Sequence, residues 1–321
     1  MARAFITGAS GFVGPWLCQA LLKEGWDVVG GTHGAPADSV GGPPDFDAGA
    51  VRWVPCDVRN AEELRRTLRS TAPDAIFHLA GVSFVPSASA DPGATLEVNV
   101  SGAARLVGVV GALRSEGAID PLVVVVGSGL QYGMHPAERM PLTEDVPQEP
   151  RDVYAASKVA QEQLAMAAWR GEGVRVVATR SFNHSGAGQP PHFLLPRLVR
   201  EAFALRSSGG DTLTIGNIES VRDFLHVSDV VRAYVALATR GEPGQAYNVA
   251  SGEGIRVEDA VTRVLALAGV DARLHVTPTL QRAVDVPVLI GDASKLRAAT
   301  GWAPQHSFDS IIHDLLRAAS R

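Results

Sequence analysis

The sequence contains only two cysteines, Cys18 and Cys56, and they do not form a CxxC pair. A disulfide framework and a cysteine-ligated zinc site are therefore not expected, and both thiols are predicted to be buried in a reducing compartment. His184 and His226 lack the spacing of metal ligands as well, so the sequence predicts no metal site.

An excess of positive charge and a long hydrophobic run are also missing. The net charge of −5 argues against nucleic acid as the main partner. No apolar run approaches the roughly 20 residues of a membrane-spanning helix. The N-terminus, "MARAFITG", leads directly into a predicted strand instead of a signal peptide. We therefore expect a cytoplasmic protein without a nucleic-acid or membrane partner.

What the first half does contain is a regular alternation of strand and helix patterns. Predicted strands are "RAFITG", "WDVVGGT", "VRWVPCD", "DAIFHLAG" and the valine run before "GSGLQYG", with helical patterns between them. Such alternation predicts right-handed βαβ units and a Rossmann-type, doubly wound parallel sheet covered on both faces. From about residue 180 the pattern loosens into Gly/Pro-rich loops. We expect a dinucleotide-binding domain over 1–180, rejoined by segments near 222–250, and a smaller substrate-binding lobe over 181–321.

A glycine-rich turn joins the first predicted strand to the first predicted helix. In "ITGASGFVG", Gly8, Gly11 and Gly14 have GxxGxxG spacing, with Phe12 and Val13 inside the turn. Glycines let the backbone approach a pyrophosphate, which the helix N-terminus then favours. A plain tight turn is the alternative, but the position at the first βα junction predicts binding of NAD(P)(H) through these five residues.

The choice between the two nicotinamide cofactors stays open. An acidic residue at the end of the second strand would favour NAD, and an arginine there would favour NADP. Thr32 and His33 stand there instead, and no Lys or Arg occurs between Lys23 and Arg52. His33 either touches a 2′-phosphate or is a solvated loop residue. Asp57, which with Val58 follows the third strand, either bonds to the adenine or caps an ordinary turn.

A tyrosine and a lysine with helical spacing are the candidate catalytic pair. Tyr154 and Lys158 in "VYAASK" are four residues apart and so share one helix face. An unperturbed tyrosine has a pKa of about 10, and a neighbouring ammonium would lower it toward a useful range. Ser128, at the end of the valine strand, lies at the edge where α/β sheets bind ligands. Two surface residues on a helix are the alternative.

These residues together resemble the extended short-chain dehydrogenase/reductases, and most closely their GDP-mannose 4,6-dehydratase and GDP-4-keto-6-deoxy-mannose reductase group. The resemblance covers almost the whole chain in order and spacing, through "HLAG", "NVSG", "TRSFNHSGAGQ", "GNIESVRDFLHVSDVV", "YNVASGEG" and "RAVDVPVLIGDASKLRAATGW". It implies an NAD(P)(H) site that also includes Leu79, Ala80, Gly81 and Asn99, with Tyr154 and Lys158 at the nicotinamide. It also implies a homodimer formed through two long helices.

The family resemblance further implies a nucleoside diphosphate sugar as substrate, with GDP favoured. Arg222 and Arg282 match family positions that reach the diphosphate, Asn183 matches a loop asparagine that contacts nucleotide phosphate, and Ser83 is expected near the hexose. For each arginine the alternative is a surface ion pair with the aspartate beside it, Asp223 or Asp285.

Leu130 narrows the reaction. In the dehydratases of this family the corresponding turn resembles S/T-x-E-x-Y-G, and the glutamate moves the protons of water elimination. Here the turn is "SGLQYG", and a leucine cannot carry a proton. We therefore expect reduction of a 4-keto-6-deoxyhexose by NAD(P)H, with an NAD-retaining 4-epimerase as the alternative and dehydration disfavoured. Gln131 is a further candidate for contact with substrate. A non-catalytic NAD(P) sensor would be expected to lack Tyr154 or Lys158, and both are present.

Overall fold

The structure is a computed structural model that describes residues 1–34, 42–277 and 286–320. The strands are β1 Arg3–Thr7, β2 Asp27–Thr32, β3 Arg52–Pro55, β4 Ala75–His78, β5 Leu122–Ser128, β6 Val176–Ser181, β7 Asn183–Ser185, β8 Thr212–Ile215, β9 Val221–His226, β10 Ala246–Val249, β11 Gly254–Arg256, β12 Arg273–Val276 and β13 Val288–Leu289. The helices are α1 Val13–Lys23, α2 Ala61–Thr71, α3 Val85–Ala90, α4 Pro92–Leu96, α5 Gly102–Ser115, α6 Val153–Glu172, α7 Leu194–Ser208, α8 Val227–Arg240, α9 Val257–Ala268, α10 Ser294–Thr300 and α11 Phe308–Ala319.

Seven strands form one parallel sheet in the order β3-β2-β1-β4-β5-β6-β10. The first six follow the 3-2-1-4-5-6 order of dinucleotide-binding folds. The predicted α/β fold class is confirmed. All seven strands run the same way, so their carboxyl ends form a single edge, and the candidate residues of the strand-end turns meet there.

The valine run of β5 is explained by helices on both faces of the sheet. Val124 packs in one core, with α1 and α8, while Val123 and Val125 pack in the other, with α2, α5 and α6. A strand that is apolar at every position, and not only at every second one, is typical of a sheet covered on both faces. Both cysteines are buried in these two cores as free thiols, and burial raises the pKa of each to about 12.

The later part of the chain builds a second, smaller assembly. Strands β7, β9, β11 and β13 form one small sheet, β8 and β12 pair separately, and α7, α9 and α11 enclose a third core with them. Residues 227–249 return to the large sheet, because α8 packs on α1 and β10 pairs with β6. The boundary near residue 180 stays a prediction.

One helical segment is longer and more apolar than the sequence analysis expected. Helix α4, a π turn at Glu97–Ser101 and α5 run continuously from Pro92 to Ser115, and an 18-residue stretch within this segment has a mean hydropathy of 1.4. By length and composition alone this segment could cross a membrane, so the expectation that no run comes close is wrong. A single such helix is a weak indication of a membrane span, since core helices pass the same test, and α5 packs between α2 and α6.

Candidate active site

A cavity of about 820 Å³ lies along the carboxyl edge of the large sheet. Its walls come from the glycine turn after β1, the turns after β2, β3 and β4, the end of β5, the start of α6 and the loop after β6. Arg222 and Phe224 of β9 add a wall from the smaller assembly. One cavity therefore joins the predicted cofactor residues to the predicted sugar-nucleotide residues.

The glycine turn leaves no room for side chains. Gly8 has a φ of +69°, and a Cβ on it would lie 2.7 Å from the Ala80 nitrogen. A Cβ on Gly14 would lie 2.1 Å from the Ala9 carbonyl oxygen. The bare backbone faces the cavity just before α1 begins at Val13, with no acidic side chain in the first turn of that helix. This cradle fits the pyrophosphate of a dinucleotide.

At the adenosine end, the structure brings in a residue that the sequence analysis did not single out. Arg59 lies in the cavity wall beside His33, Asp57 and Val58. Its hydrogen bonds hold the pKa of the Asp57 carboxyl below its ordinary value. The signal in the sequence was an arginine two residues after a strand-end aspartate, but its approach to His33 depends on the pairing of β2 with β3.

Two predicted cofactor residues do not line the cavity. Thr32 is buried at the end of β2. Asn99 is fully buried, accepts a hydrogen bond from the Val82 nitrogen at 2.8 Å, and donates to Val82 O and to Ser157 Oγ at 3.0 and 2.9 Å. Its amide therefore fixes the turn after β4, where Leu79, Ala80 and Gly81 do form cavity wall.

Ser128, Tyr154 and Lys158 come together where β5 ends against the first turns of α6. The Ser128 hydroxyl lies near enough to the Tyr154 hydroxyl to lower the pKa of that tyrosine. Because the Leu130 amide donates to Ser128 Oγ at 3.2 Å, the hydroxyl hydrogen of Ser128 is free to turn toward the tyrosine or toward a substrate oxygen. Lys158 Nζ donates to Val126 O at 2.8 Å and to Gln161 Oε1 at 2.9 Å.

The expected lowering of the Tyr154 pKa is wrong in direction. Burial raises the pKa of Tyr154 above its ordinary value, and the neighbouring Ser128 hydroxyl offsets only part of that rise. Burial also lowers the pKa of Lys158 to about 8. The cause is desolvation, which disfavours the charged form of both groups. Tyr154 is therefore poised as a proton donor, since its neutral form dominates at neutral pH.

Gln131 is not available to a substrate. Its side chain is fully buried, accepts from the Ser128 nitrogen at 2.7 Å and donates to Glu162 Oε2 at 2.7 Å. Glu162 in turn pairs with Arg180 at 2.7 Å. The candidate contact between Gln131 and substrate is replaced by a supporting role: a buried polar network holds the backbone of Ser128 in place. Leu130, one residue earlier, does line the cavity.

The three described residues predicted to bind the sugar nucleotide, Ser83, Asn183 and Arg222, lie in the same cavity wall. The alternative of an Arg222–Asp223 surface pair finds no support, because the Asp223 carboxylate is buried and accepts hydrogen bonds from Ser251 Oγ and from the nitrogens of Ser251 and Gly252. Arg282 and its neighbour Asp285 lie outside the described residues.

An aromatic cluster in this wall was missed by the sequence analysis. The Phe84 ring lies 4.3 Å from the His192 ring and 5.5 Å from the Phe193 ring, measured between centroids. All three residues line the cavity, and they come from two loops about 110 residues apart in the chain. No local pattern marks such a cluster. It supplies an apolar surface for a sugar or a base.

The two histidines that were predicted not to bind a metal have structural partners. His184 stacks on Phe12 and bonds to Phe182 O at 2.9 Å, while His226 Nε2 lies 3.4 Å from the Asp314 carboxylate. Within the described ranges, no group of three or more His, Cys, Asp or Glu side chains could hold a metal ion.

Comparison with known proteins identifies the family. A family model described as GDP-mannose 4,6 dehydratase matches residues 5–315. The chain belongs to this family. A GDP-6-deoxy-D-mannose reductase from Pseudomonas aeruginosa is 31% identical over 320 residues, which cover 98% of this chain and 96% of that protein. The predicted membership of the extended short-chain dehydrogenase/reductases is confirmed.

Two solved structures are similar to this chain over nearly their whole length. RMD from Pseudomonas aeruginosa complexed with NADPH is 30% identical, with a TM-score of 0.82 and full coverage of both chains. UDP-glucose 4-epimerase from Thermus thermophilus complexed with NAD is 27% identical, with a TM-score of 0.84 and 98% coverage of each chain. One holds NADPH and the other NAD, so a nicotinamide cofactor is confirmed for this group and the choice between the two is not.

Proposed function

We propose that this protein reduces the 4-keto group of a 4-keto-6-deoxyhexose carried on a nucleoside diphosphate, most favourably GDP. The observation that carries the proposal is that one cavity is lined by the glycine cradle, by Ser128, Leu130 and Tyr154, and by Arg222. The similarity to a GDP-6-deoxy-D-mannose reductase supports the same substrate class.

The proposed chemistry needs one hydride and one proton. The glycine turn and the turn after β4 would hold an NAD(P)H cofactor, which would supply the hydride when bound. Ser128 donates a hydrogen bond to the keto oxygen and orients it. Tyr154, kept neutral by burial, gives its proton to the oxygen as negative charge develops there. Lys158, held by Val126 O and Gln161 Oε1, adds a positive charge to the wall of the site.

A panel of sugar nucleotides tests the substrate class. The natural ligand is expected to raise the melting temperature most, because a ligand that binds only the folded state stabilises it by about 2.7 kcal/mol at a hundred times its dissociation constant. Thermal shifts with GDP-, UDP- and dTDP-sugars, followed by oxidation of NAD(P)H in the presence of GDP-4-keto-6-deoxymannose, check the proposal. Stabilisation by UDP-sugars alone would contradict the GDP assignment.

A second function, NAD-retaining 4-epimerisation, is favoured by one specific observation: the NAD complex of a UDP-glucose 4-epimerase has the same overall fold over 98% of this chain. The same serine and tyrosine could serve oxidation followed by re-reduction. An epimerase is expected to carry NAD through gel filtration and to turn over without added cofactor. The proposed reductase instead consumes one NAD(P)H for each product molecule.

Leu130 gives a prediction about dehydration. Because an alkyl side chain carries no proton, the protein is expected not to convert GDP-mannose to its 4-keto-6-deoxy product. Leu130→Glu is expected not to improve keto reduction and to lower it by placing an acid in an apolar wall. Leu130→Met is the matched control, since it keeps the apolar volume. Nuclear magnetic resonance of the GDP-mannose reaction checks the point, and product from the native protein would contradict it.

Arg222 gives a prediction about substrate binding. A guanidinium can hold two phosphate oxygens through charge-assisted hydrogen bonds worth roughly 1.5–3 kcal/mol. Arg222→Ala is therefore expected to raise the sugar-nucleotide KM by about ten- to a hundredfold. Arg222→Lys should restore only part of the loss, because an ammonium lacks the planar fork.

Cofactor binding is the control measurement for the Arg222 variants. Fluorescence titration with NADH and NADPH should give nearly unchanged dissociation constants for Arg222→Ala, because Arg222 lies on β9, away from the glycine turn. Equal weakening of cofactor and sugar nucleotide would point to a folding defect and would contradict the assignment. Arg282→Ala is the companion variant from the same sequence expectation.

We propose further that the protein is a cytoplasmic homodimer. Leu96, before the π turn, and Leu164, on α6, are large apolar side chains that remain 44% and 38% exposed. A dimer through these two helices would cover them. Light scattering on the purified protein measures the mass directly.

A further inference from the structure

Three side chains meet at the adenosine end of the cavity, where β2 and β3 stop side by side. His33 follows β2 directly, and Asp57 and Arg59 follow β3. All three line the cavity together with the glycine turn. Since β2 pairs with β1, this cluster lies next to that turn, at the position where dinucleotide-binding sheets contact the 2′ position of the adenosine ribose.

Arg59 is the cationic group of the cluster. Its Nε lies 2.9 Å from Asp57 Oδ1, and its Nη2 lies 2.8 Å from Asp57 Oδ2. The backbone nitrogen of Arg59 also donates to Asp57 Oδ1, at 2.9 Å. The Asp57 carboxylate therefore fixes the orientation of the Arg59 guanidinium. The arginine side chain is 43% exposed, and its Nη1 makes no hydrogen bond to any residue within 1–34, 42–277 or 286–320. One edge of the fork can still bind an anion.

His33 extends the cluster on the Nη2 side of Arg59. Its Nε2 lies 3.2 Å from Arg59 Nη2, and its Nδ1 lies 3.6 Å from Asp57 Oδ2. The imidazole is two-thirds exposed to the cavity and solvent. A phosphate oxygen bound to the guanidinium would lie beside a ring that can donate a second hydrogen bond once it is protonated.

The carboxylates near the cluster already have hydrogen-bond or ion-pair partners within the protein. The end of β2 has no acidic residue to accept the hydrogen bond of an NAD ribose, and Asp57 is already paired with Arg59. Glu63 accepts a hydrogen bond from the Asp57 nitrogen at 3.2 Å, and Glu97 is paired with Arg105 at 2.7 Å.

We propose that Arg59, oriented by Asp57 and assisted by His33, binds the 2′-phosphate of NADPH and makes the protein prefer NADPH to NADH. The inference rests on the proposed nicotinamide-dependent reduction, but the recognition itself is measured without any sugar. Asp57 is then a positioning residue for the arginine.

Binding experiments on the full-length protein test this site. NADPH and NADH are titrated by fluorescence, and adenosine 2′,5′-bisphosphate and 5′-AMP by calorimetry. The wild type is expected to bind each 2′-phosphorylated ligand at least about tenfold more tightly than its partner. Arg59→Ala should remove most of that difference, while NADH and 5′-AMP bind within about twofold of wild type. Arg59→Lys should restore part of it.

Arg52→Ala is the matched control, because Arg52 is an exposed arginine at the opposite end of the same strand, β3. It should leave all four dissociation constants unchanged. Equal binding of NADPH and NADH by the wild type, or equal weakening of both by Arg59→Ala, would overturn the inference. Failure of the proposed reductase activity would leave these ratios intact, so the two ideas fail in distinguishable ways.

Discussion

Tyr154→Phe is expected to abolish most turnover while leaving the cofactor bound. The variant loses only the hydroxyl that lies near Ser128, and general acid catalysis of this kind contributes about 10²- to 10⁴-fold. We expect kcat for keto reduction to fall by about that factor, with little change in the KM for the sugar nucleotide. Stopped-flow or steady-state oxidation of NAD(P)H measures both constants.

Tyr247→Phe is the matched control for this experiment. Tyr247 is also a buried tyrosine, but it lies on β10 and its hydroxyl accepts a hydrogen bond from the Glu242 nitrogen at 3.2 Å. It should keep a normal kcat. A Tyr154→Phe variant with nearly wild-type kcat and normal NAD(P)H binding would refute the assignment of Tyr154 as proton donor. Loss of cofactor binding in the same variant would point to a structural role instead.

Among the variants named here, Arg180→Met is expected to lower the free energy of unfolding most. Arg180 and Glu162 are only 8% and 4% exposed in their side chains and form two hydrogen bonds, at 3.0 and 2.7 Å. Removing one partner leaves a buried carboxylate without its countercharge, which typically destabilises a protein by about 3–5 kcal/mol. Urea unfolding measures the free energy of unfolding, and the double variant Arg180→Met/Glu162→Gln should recover part of the loss.

A surface pair provides the comparison for that prediction. Arg273 and Asp211 also form an ion pair, but their side chains are 82% and 64% exposed. Arg273→Met is expected to change the free energy of unfolding by no more than about 1 kcal/mol. Equal, small effects at both pairs would contradict the view that burial decides the outcome.

Because Gln131 links Glu162 to the Ser128 nitrogen, the Arg180→Met variant should also lower kcat more than it raises KM.

Local patterns were sufficient to predict the parallel sheet and two parts of the candidate site. The alternation of strands and helices is a property of short segments, and so is the glycine turn after β1. The spacing of Tyr154 and Lys158 puts both on one face of α6 whatever surrounds that helix. The family resemblance, carried by motifs along nearly the whole chain, is confirmed by a family match over residues 5–315.

Distances between remote segments could not be predicted in this way. Arg59 meets His33 only because β2 and β3 pair, and Phe84 meets His192 only because two loops converge on the cavity. Gln131 stands one residue from a cavity-lining leucine, yet its amide is occupied by Ser128 and Glu162 inside the protein. Which of two neighbouring side chains faces a ligand depends on the turn they occupy and on the groups packed behind it.

Residue type and short-range spacing are enough to predict the fold class, the position of the candidate cofactor cradle and the candidate proton-carrying side chains. The electrostatics of that site depend on how the distant elements of the fold pack around it. Burial raises the pKa of Tyr154 and lowers that of Lys158, against the expectation drawn from their spacing. The physical reason is desolvation: how much water a group loses depends on every element packed around it, and no short stretch of sequence contains that information.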